Sequence, residues 1–524
     1  MSTKTAVNPL YSGGTYGQIL ISALQRYPDR VAFESEHGSY TYAETALHIA
    51  RAIGRLKELG LKRGDTVAQL SGNRPETFFL LAAIYISGLR SVTLHTLGSL
   101  EDHAYIIEDS EAALLVMDPQ YVERAQALRA MATKPMGWLS HSPTEGFEHF
   151  WTPSSAATLP LTSEVEPEDI IRLAYTGGTS GRPKGVMLSS RSMATNAVFA
   201  LSGLDWPENI RFLCPTPITH GAGALILPTL YQGGTFILQQ GFNRDKVLEA
   251  ISQHGATTLF LVPTMIYALL DHPHIRTFDF SSLHSLMYGA SPMAPARIRE
   301  ALDVFGPVLV QLYGQTEAPS TVLALTREDH LLGGEKRLAS AGKPYPGLTL
   351  QLLDDECQPV PQGEIGEICV RGPLVMSGYW KQPAQTAKAL EGNWLHTGDL
   401  AYQDEEGYVY IVDRKKDLII SGGFNVYPQE VENVIAAHEA VSMVAVIGVP
   451  DPKWGEAVKA VVVLKPGAST SADDLISRVR NSKGPVAAPK SVDFVDMLPL
   501  TALGKPDKKA LRGRYWQGTN RAVN

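Results

Sequence analysis

Apolar positions in the first four hundred residues alternate between helical and strand spacing. Residues Tyr42–Leu59 place apolar side chains three and four positions apart and charges on the other face, which predicts an amphipathic helix. Shorter apolar runs predict a strand at Thr66–Leu70, a helix at Pro75–Ser87 and a buried strand at Ala112–Met117. Because strands alternate with helices, the pattern predicts an α/β fold with parallel sheets covered by helices.

The pattern changes at Leu348, where short strands separated by glycine predict an antiparallel meander or a small barrel-like sheet. Helices predicted at Tyr427–Ala437 and Ala472–Arg480, with two long apolar strands between them, indicate a small α+β unit. The charged turn Asp413–Asp417 separates the two regions. We therefore predict a large N-terminal domain over residues 1–415 and a small α+β C-terminal domain over residues 416–524.

Composition excludes several classes of protein. Hydrophobic residues make up 44% of the 524 positions and charged residues 19%, which is typical of a globular chain. The net charge of −8 argues against a general nucleic-acid binder. The cysteines Cys214, Cys357 and Cys369 are too few and too scattered for a disulfide framework or a CxxC zinc site. We expect a cytoplasmic protein.

No segment of the sequence predicts a membrane span. The first residues lack the apolar core of a secretory signal. The longest apolar stretches, Phe78–Ile86 and Leu259–Leu270, fall short of the roughly 20 residues that cross a bilayer.

Residues Tyr175–Ser189, YTGGTSGRPKGVMLS, have the composition of a phosphate-binding loop. The glycines allow the backbone to wrap an anion, the hydroxyls donate to it, and the lysine adds positive charge. The candidate ligands are Thr176, Gly177, Gly178, Thr179, Ser180, Gly181 and Lys184. Taken alone, such a loop is more often an ordinary surface turn.

Four further strings accompany this loop: YGQTE at 313–317, WLHTGDL at 394–400, GYVYIVDRKKDLIISGGFNVYP at 407–428 and LPLTALGKPDKKALR at 498–512. In order and spacing they resemble the acyl-adenylate-forming superfamily, which includes acyl-CoA synthetases, amino-acid adenylation domains and firefly-type luciferases. The resemblance covers nearly the whole chain, from about Tyr16 to Leu511. It implies a large domain closed by a small, mobile lid.

The resemblance also implies the chemistry, in which a carboxylate attacks the α-phosphate of ATP and expels pyrophosphate. The cofactors implied are ATP, Mg²⁺ and coenzyme A. Thr316 would donate to the α-phosphate and Glu317 would hold the metal. Lys505 would bridge the carboxylate and α-phosphate oxygens. Without the resemblance, a lone Glu or Lys is most often a solvated surface charge.

By the same resemblance, Asp399 accepts the ribose hydroxyls and Arg414 reaches the ribose. Arg414 could otherwise be a surface charge in a linker. The adenine is expected against two short segments, one consisting of Gly289, Ala290 and Ser291 and the other being the strand end Gln311–Gly314. The nucleotide-binding candidates at that strand end are Tyr313, Gly314 and Gln315. The first segment could also be a plain strand-to-helix turn.

Lys416 occupies the family's hinge position, about which the lid rotates. The rotation would bring Gly422 and Gly423 to a thiol tunnel, where small residues let the pantetheine arm pass close to the backbone. The alternative for the two glycines is a plain turn between a strand and a helix.

The resemblance places the acid pocket around Ile218–Ala224, Tyr288–Gly289 and Leu312–Ser320. His220 would lie near the reacting carboxylate or, equally, be hydrogen-bonded as a structural histidine. The run Cys214–Ala224 contains no acidic residue. Because a buried ammonium without a partner is costly, an α-amino acid is disfavoured. Tyr288 is expected to limit the depth of the pocket, which favours an aryl or a short- to medium-chain aliphatic acid.

We predict an ATP-dependent carboxylic acid:CoA ligase that takes a small-molecule acid and binds no nucleic acid. A homodimer is possible. One alternative is a stand-alone adenylation enzyme that loads a carrier protein, and another is a luciferase-like oxygenase. An inactive binding protein is a third, which the presence of Lys505, Glu317 and Asp399 disfavours.

Overall fold

The computed structural model describes residues 14–36, 38–176, 182–501 and 504–515, without the side chain of Glu335. The helices in chain order are α1 (Tyr16–Arg26), α2 (Tyr42–Glu58), α3 (Pro75–Ile86), α4 (Leu100–Asp109), α5 (Val122–Met131), α6 (Ser190–Gly203), α7 (Ile226–Tyr231), α8 (Arg244–Ser252), α9 (Pro263–Leu270), α10 (Pro295–Phe305), α11 (Arg327–Leu332), α12 (Gly334–Leu338), α13 (Pro383–Ala389), α14 (Pro428–Ala436), α15 (Ala472–Ala487) and α16 (Lys508–Tyr515).

The strands in chain order are β1 (Val31–Ser35), β2 (Gly38–Thr41), β3 (Thr66–Leu70), β4 (Arg90–Thr93), β5 (Ala112–Met117), β6 (Gly137–Ser140), β7 (Glu148–His149), β8 (Ile170–Thr176), β9 (Lys184–Ser189), β10 (Arg211–Cys214), β11 (Thr235–Leu238), β12 (Thr258–Leu261), β13 (Ser285–Gly289), β14 (Leu309–Gln315), β15 (Ala318–Leu325), β16 (Lys343–Pro344), β17 (Thr349–Leu353), β18 (Gly366–Arg371), β19 (Gly378–Tyr379), β20 (Leu395–Gln403), β21 (Val409–Arg414), β22 (Ile419–Ser421), β23 (Phe424–Val426), β24 (Val441–Asp451), β25 (Gly455–Leu464) and β26 (Ser491–Phe494).

Two mainly parallel sheets form the large domain, in the orders β19-β9-β8-β4-β3-β5-β6-β7 and β16-β15-β14-β13-β12-β10-β11-β1-β2. Helix α3 contacts strands of both sheets, β1 in one and β4 and β8 in the other. All of its residues except Glu76 are buried, as a helix packed on both sides requires. The predicted α/β class is confirmed.

The segment after Leu348 forms an antiparallel sheet in the order β17-β18-β20-β21. Within the described residues these strands pair in a line and no pairing joins β17 to β21, so the meander is open and does not close into a barrel. Strands β20 and β21 are hydrogen-bonded neighbours, and both lead into the candidate site.

The small domain contains the sheet β23-β22-β25-β24, with β26 beside β25 and helices α14, α15 and α16 around it. Its own apolar core includes Val431, Val458 and Leu475. The predicted division at residues 415/416 falls between β21 and β22.

Within the described residues, no helix is both long enough and apolar enough to cross a membrane.

Candidate active site

A buried carboxylate with two donors lies at the centre of the candidate site. Asp399 on β20 lies opposite Arg414 on β21, and Asp399 is 5% exposed. Arg414 Nε donates to Asp399 Oδ1 at 3.1 Å, and the Tyr313 hydroxyl donates to Asp399 Oδ2 at 2.7 Å. A carboxylate fixed through both oxygens keeps further lone pairs for the hydroxyls of a ligand.

Tyr313 remains a neutral donor. Its pKa is raised well above 10.0 because the side chain is largely enclosed and because the negative charge of Asp399 opposes ionisation. Strand pairing thus brings together the predicted ribose-binding pair, Asp399 and Arg414. Tyr313, on β14 of the nine-stranded sheet, joins them through its hydrogen bond to Asp399.

The two segments predicted to face the adenine lie side by side at the ends of β13 and β14, where Gly289 is the register partner of Leu312. A Cβ on Gly289 would lie 2.3 Å from the Leu312 carbonyl oxygen, and one on Gly314 would lie 2.4 Å from the Ser320 nitrogen. Both positions therefore require glycine. Ala290 follows with φ of +71°, and Ser291 and Gln315 lie on the same two segments.

Thr316 and Glu317 form the tight turn between β14 and β15, and both are partly exposed. The Tyr379 hydroxyl donates to Glu317 Oε1 at 2.8 Å. The pKa of Tyr379 is raised because the ring is partly buried and because the Glu317 carboxylate lies beside it. The ammonium of Lys184 lies 5.6 Å from the centre of the Tyr379 ring.

The phosphate loop is anchored at both ends, because Thr176 on β8 pairs with Lys184 on β9. Strand β9 also pairs with β19, which carries Tyr379. Strand pairing thus places the base of the loop beside Glu317. The predicted ligands Gly177, Gly178, Thr179, Ser180 and Gly181 lie outside the described residues.

His220 follows β10 in a polar and largely enclosed setting. Its Nδ1 lies 2.9 Å from the Thr219 hydroxyl, and its ring meets the His95 ring edge-on at 4.7 Å between centres. Burial, with the nearby His95 and Arg172, lowers the pKa of His220 to about 3. The imidazole is therefore neutral near pH 7 and can act as a hydrogen-bonding group, not as a fixed cation.

Tyr288 is fully buried and lies in the core between the sheet and α8, α9 and α10. Its hydroxyl donates to Gln311 Oε1 at 3.0 Å and lies 2.9 Å from His330 Nε2. A side chain enclosed in this way cannot line an open acid pocket. The expectation that Tyr288 limits the pocket is wrong, because its strand turns this side chain toward the helices.

Lys505, on the small domain, lies near the Asp399–Arg414 pair. The Thr264 hydroxyl on α9 donates to the Gly504 carbonyl at 2.7 Å, and Thr501 N–H donates to the Lys505 carbonyl at 2.7 Å. Burial lowers the pKa of Lys505 to about 8, with a further lowering by Arg414 and an opposing effect of Asp399. The lysine therefore lies within electrostatic range of the Asp399–Arg414 pair.

The hinge candidate Lys416 lies two residues after the end of β21, and burial and Arg414 lower its pKa. Gly422 and Gly423 form a two-residue hairpin turn with φ of +60° and +83°, a turn for which glycine is favoured. A Cβ on Gly422 would lie 2.7 Å from the Trp454 ring. At Gly423 a Cβ would meet open space, so only its backbone conformation favours glycine there.

Two site residues have no signal in the sequence motifs. Tyr379 holds Glu317, and Thr264 holds the segment that carries Lys505. Both depend on contacts between residues far apart in the chain. Tyr379 and Glu317 are 62 positions apart, and Thr264 and Gly504 are 240 positions apart.

Comparison with known proteins gives consistent matches. The model of the family "AMP-binding enzyme" matches residues 21–380, and that of the "AMP-binding enzyme C-terminal domain" matches residues 430–505. The chain is 44% identical to medium/long-chain-fatty-acid--CoA ligase FadD8 of Mycobacterium tuberculosis, covering 97% of this chain and 91% of that protein.

The chain is also 40% identical to feruloyl-CoA synthase of an Amycolatopsis species, covering 91% of this chain and 95% of that protein. The solved structure of amide bond synthetase McbA from Marinactinospora thermotolerans superposes with a TM-score of 0.88 and 36% identity, covering 95% of this chain and 99% of that chain.

Proposed function

Because the chain belongs to the AMP-binding enzyme family, we propose that it is an ATP-dependent carboxylic acid:CoA ligase. It joins an organic acid to coenzyme A through an acyl-adenylate and releases pyrophosphate and AMP.

The observation that carries this proposal is the convergence of Lys505 on the Asp399–Arg414 pair. Asp399 would hold the ribose, and Lys505, a cation on a separate domain whose pKa is shifted by this pair, would reach the neighbouring phosphate. Nucleophile and substrate are both anionic, so a site for this reaction must offset charge and align the reacting atoms.

In the first step a carboxylate oxygen of the acid forms a bond to the α-phosphorus, and the bond to the pyrophosphate oxygen breaks. Lys505 donates to the carboxylate and α-phosphate oxygens, and Thr316 donates to the α-phosphate. Lys184 and the phosphate loop hold the departing β- and γ-phosphates. Asp399 and Arg414 fix the ribose, and the segments around Gly289 and Tyr313 hold the adenine.

Glu317 fits the role of a Mg²⁺ ligand. Tyr379 fixes its Oε1, so that Oε2 is the oxygen offered to a cation, and hard cations prefer carboxylate oxygen. A bound Mg²⁺ supplies neutralisation of phosphate charge.

In the second step the coenzyme A sulfur attacks the acyl carbon and AMP leaves. Rotation about Lys416 would withdraw Lys505 and bring the Gly422–Gly423 turn to the site. Two facts support this: the glycine turn lies on the small domain, and Lys416 lies at the junction between β21 and β22.

We propose an aryl or an aliphatic acid, without the limit on chain length expected from Tyr288, because that side chain does not line the pocket. The ferulate and fatty-acid ligases among the relatives support this class. The absence of an acidic residue from the sequence Cys214–Ala224 supports it against α-amino acids.

The test is product analysis by mass spectrometry after incubating ATP, Mg²⁺ and each of a panel of acids with coenzyme A, an amine or a phosphopantetheinyl carrier protein. Acyl-CoA and AMP are expected, with coenzyme A the preferred acceptor. A preference for the carrier or the amine, or ADP in place of AMP, would overturn the proposal.

A cytoplasmic location, the absence of nucleic-acid binding and a homodimer also remain proposals. The net charge of −8 supports the second of these. Light scattering coupled to gel filtration measures the oligomeric state.

A further inference from the structure

Three side chains on one face of the antiparallel sheet direct a sulfur, a nitrogen and an oxygen toward one point. Glu367 and Cys369 are two residues apart on β18 and so share a face. His396 on β20 is the register partner of Cys369. No sequence spacing predicts this cluster, because pairing of strands 27 residues apart assembles it.

The distances suit a tetrahedral metal ion. His396 Nδ1 lies 3.3 Å from Glu367 Oε2 and 3.4 Å from Cys369 Sγ, and the three donor atoms all lie within 4.8 Å of one another. Zinc bonds of about 2.0–2.3 Å place neighbouring ligands about 3.3–3.8 Å apart. Two of the three separations therefore need little adjustment.

The other ring nitrogen of His396, Nε2, also supports a metal site. His396 Nε2 lies 3.3 Å from the Glu391 carbonyl oxygen. When Nε2 carries the proton and donates it there, the Nδ1 lone pair points at Cys369 and Glu367. Histidines that bind metals usually donate their other N–H to a carbonyl or carboxylate in this way.

Burial and charge agree with a divalent ion. Cys369 is 0% exposed and Glu367 8%. A thiolate and a carboxylate together balance two positive charges, and thiolate and imidazole favour zinc over Mg²⁺. Lys415 lies 3.7 Å from Glu367 Oε2, but it also donates to Asp355 Oδ1 at 2.5 Å, toward the surface.

We propose that Glu367, Cys369 and His396 form a structural zinc site. The thiol of Cys369 releases its proton to solvent as the sulfur–zinc bond forms, and a water completes the coordination. Because Glu367 Oε1 also accepts from Gly398 N–H at 2.8 Å, the ion would brace the strand that carries Asp399. This site is independent of the ligase chemistry.

The test uses tag-free, full-length protein, stripped with a chelator, reloaded with zinc in excess Mg²⁺ and desalted. Mass spectrometry of the metal should find about one zinc per chain, and Cys369→Ser and His396→Gln should weaken zinc binding at least about 100-fold. Cys214→Ser is the matched control, because that buried thiol donates to the Thr216 carbonyl and lies outside the cluster.

Cobalt replacement gives a readout that needs no variant. Wild-type protein should show a thiolate-to-cobalt charge-transfer band and the strong visible bands of a tetrahedral ion. Failure of wild-type protein to retain zinc, full retention by Cys369→Ser, or a cobalt spectrum without a thiolate band would each overturn the proposal. The cluster would then be an imidazolium–carboxylate pair.

Discussion

The candidate nucleotide cluster of the large domain (Tyr313, Asp399 and Arg414) and the segment of the small domain that carries Lys505 are held in different ways. Asp399 and Arg414 lie on paired strands, and Tyr313 fixes the carboxylate from a third strand. Lys505 is positioned through Gly504, whose carbonyl accepts from Thr264. Elsewhere the domains meet through polar contacts such as Ser442 with Asp271 at 2.8 Å.

This difference suits the two tasks. The ribose and adenine must stay bound through both half-reactions, so a cluster built on strand pairing is appropriate. The lysine is needed only while the adenylate forms, so a few hydrogen bonds at a domain edge hold it without preventing its departure.

The substitution with the largest expected effect distinguishes the two regions, because it should impair only one of the two half-reactions. Lys505→Ala should lower acid-dependent pyrophosphate release by about 10²–10³, because a cation directed at developing charge is lost. Thioester formation from a supplied acyl-adenylate should be retained. Single-turnover assays of each half-reaction measure both, and Lys509→Ala, at an exposed position nearby, is the control. Equal loss in both half-reactions would contradict the assignment.

Asp399→Asn should instead impair both half-reactions. Loss of a charged acceptor weakens ribose binding, and we expect about a 10- to 100-fold rise in KM for ATP and for the acyl-adenylate. Glu405→Gln, on the turn between β20 and β21, is the matched control. If Asp399→Asn left the second half-reaction intact, the nucleotide cluster would not serve both steps.

The pKa of Lys505 predicts a pH dependence. Its lowered value of about 8 means that the ammonium is lost as pH rises through 8. For adenylate formation, kcat/KM should be about tenfold lower one pH unit above that value. In Lys505→Arg this alkaline limb should disappear, because guanidinium stays charged. A limb that persists in Lys505→Arg would belong to another group.

The smallest effect concerns a residue that only positions another. Tyr379→Phe removes the hydrogen bond to Glu317 and should raise the Mg²⁺ concentration needed for half-maximal rate about 2- to 10-fold. Tyr410→Phe removes an equivalent bond to Asp404, 2.9 Å long, outside the site and serves as the control. An unchanged Mg²⁺ requirement in Tyr379→Phe would reject the positioning role.

The motifs predicted which residues meet, but not how they are held. The strings containing Asp399, Arg414 and Lys505 identify the cluster, because each is a short segment of characteristic sequence. Tyr379 could not be found this way, since its contact depends on β19 pairing with β9. The resemblance placed Tyr288 at the pocket wrongly, because it gives a position along the strand but not which face of the strand meets the helices.

The central claim is that ATP and an acid react in this site before any thiol is involved. Exchange of labelled pyrophosphate into ATP, measured without coenzyme A, tests it most directly. The account predicts exchange that requires the acid and is lost in Lys505→Ala. Formation of acyl-CoA from an acid that supports no exchange in the absence of coenzyme A would contradict it.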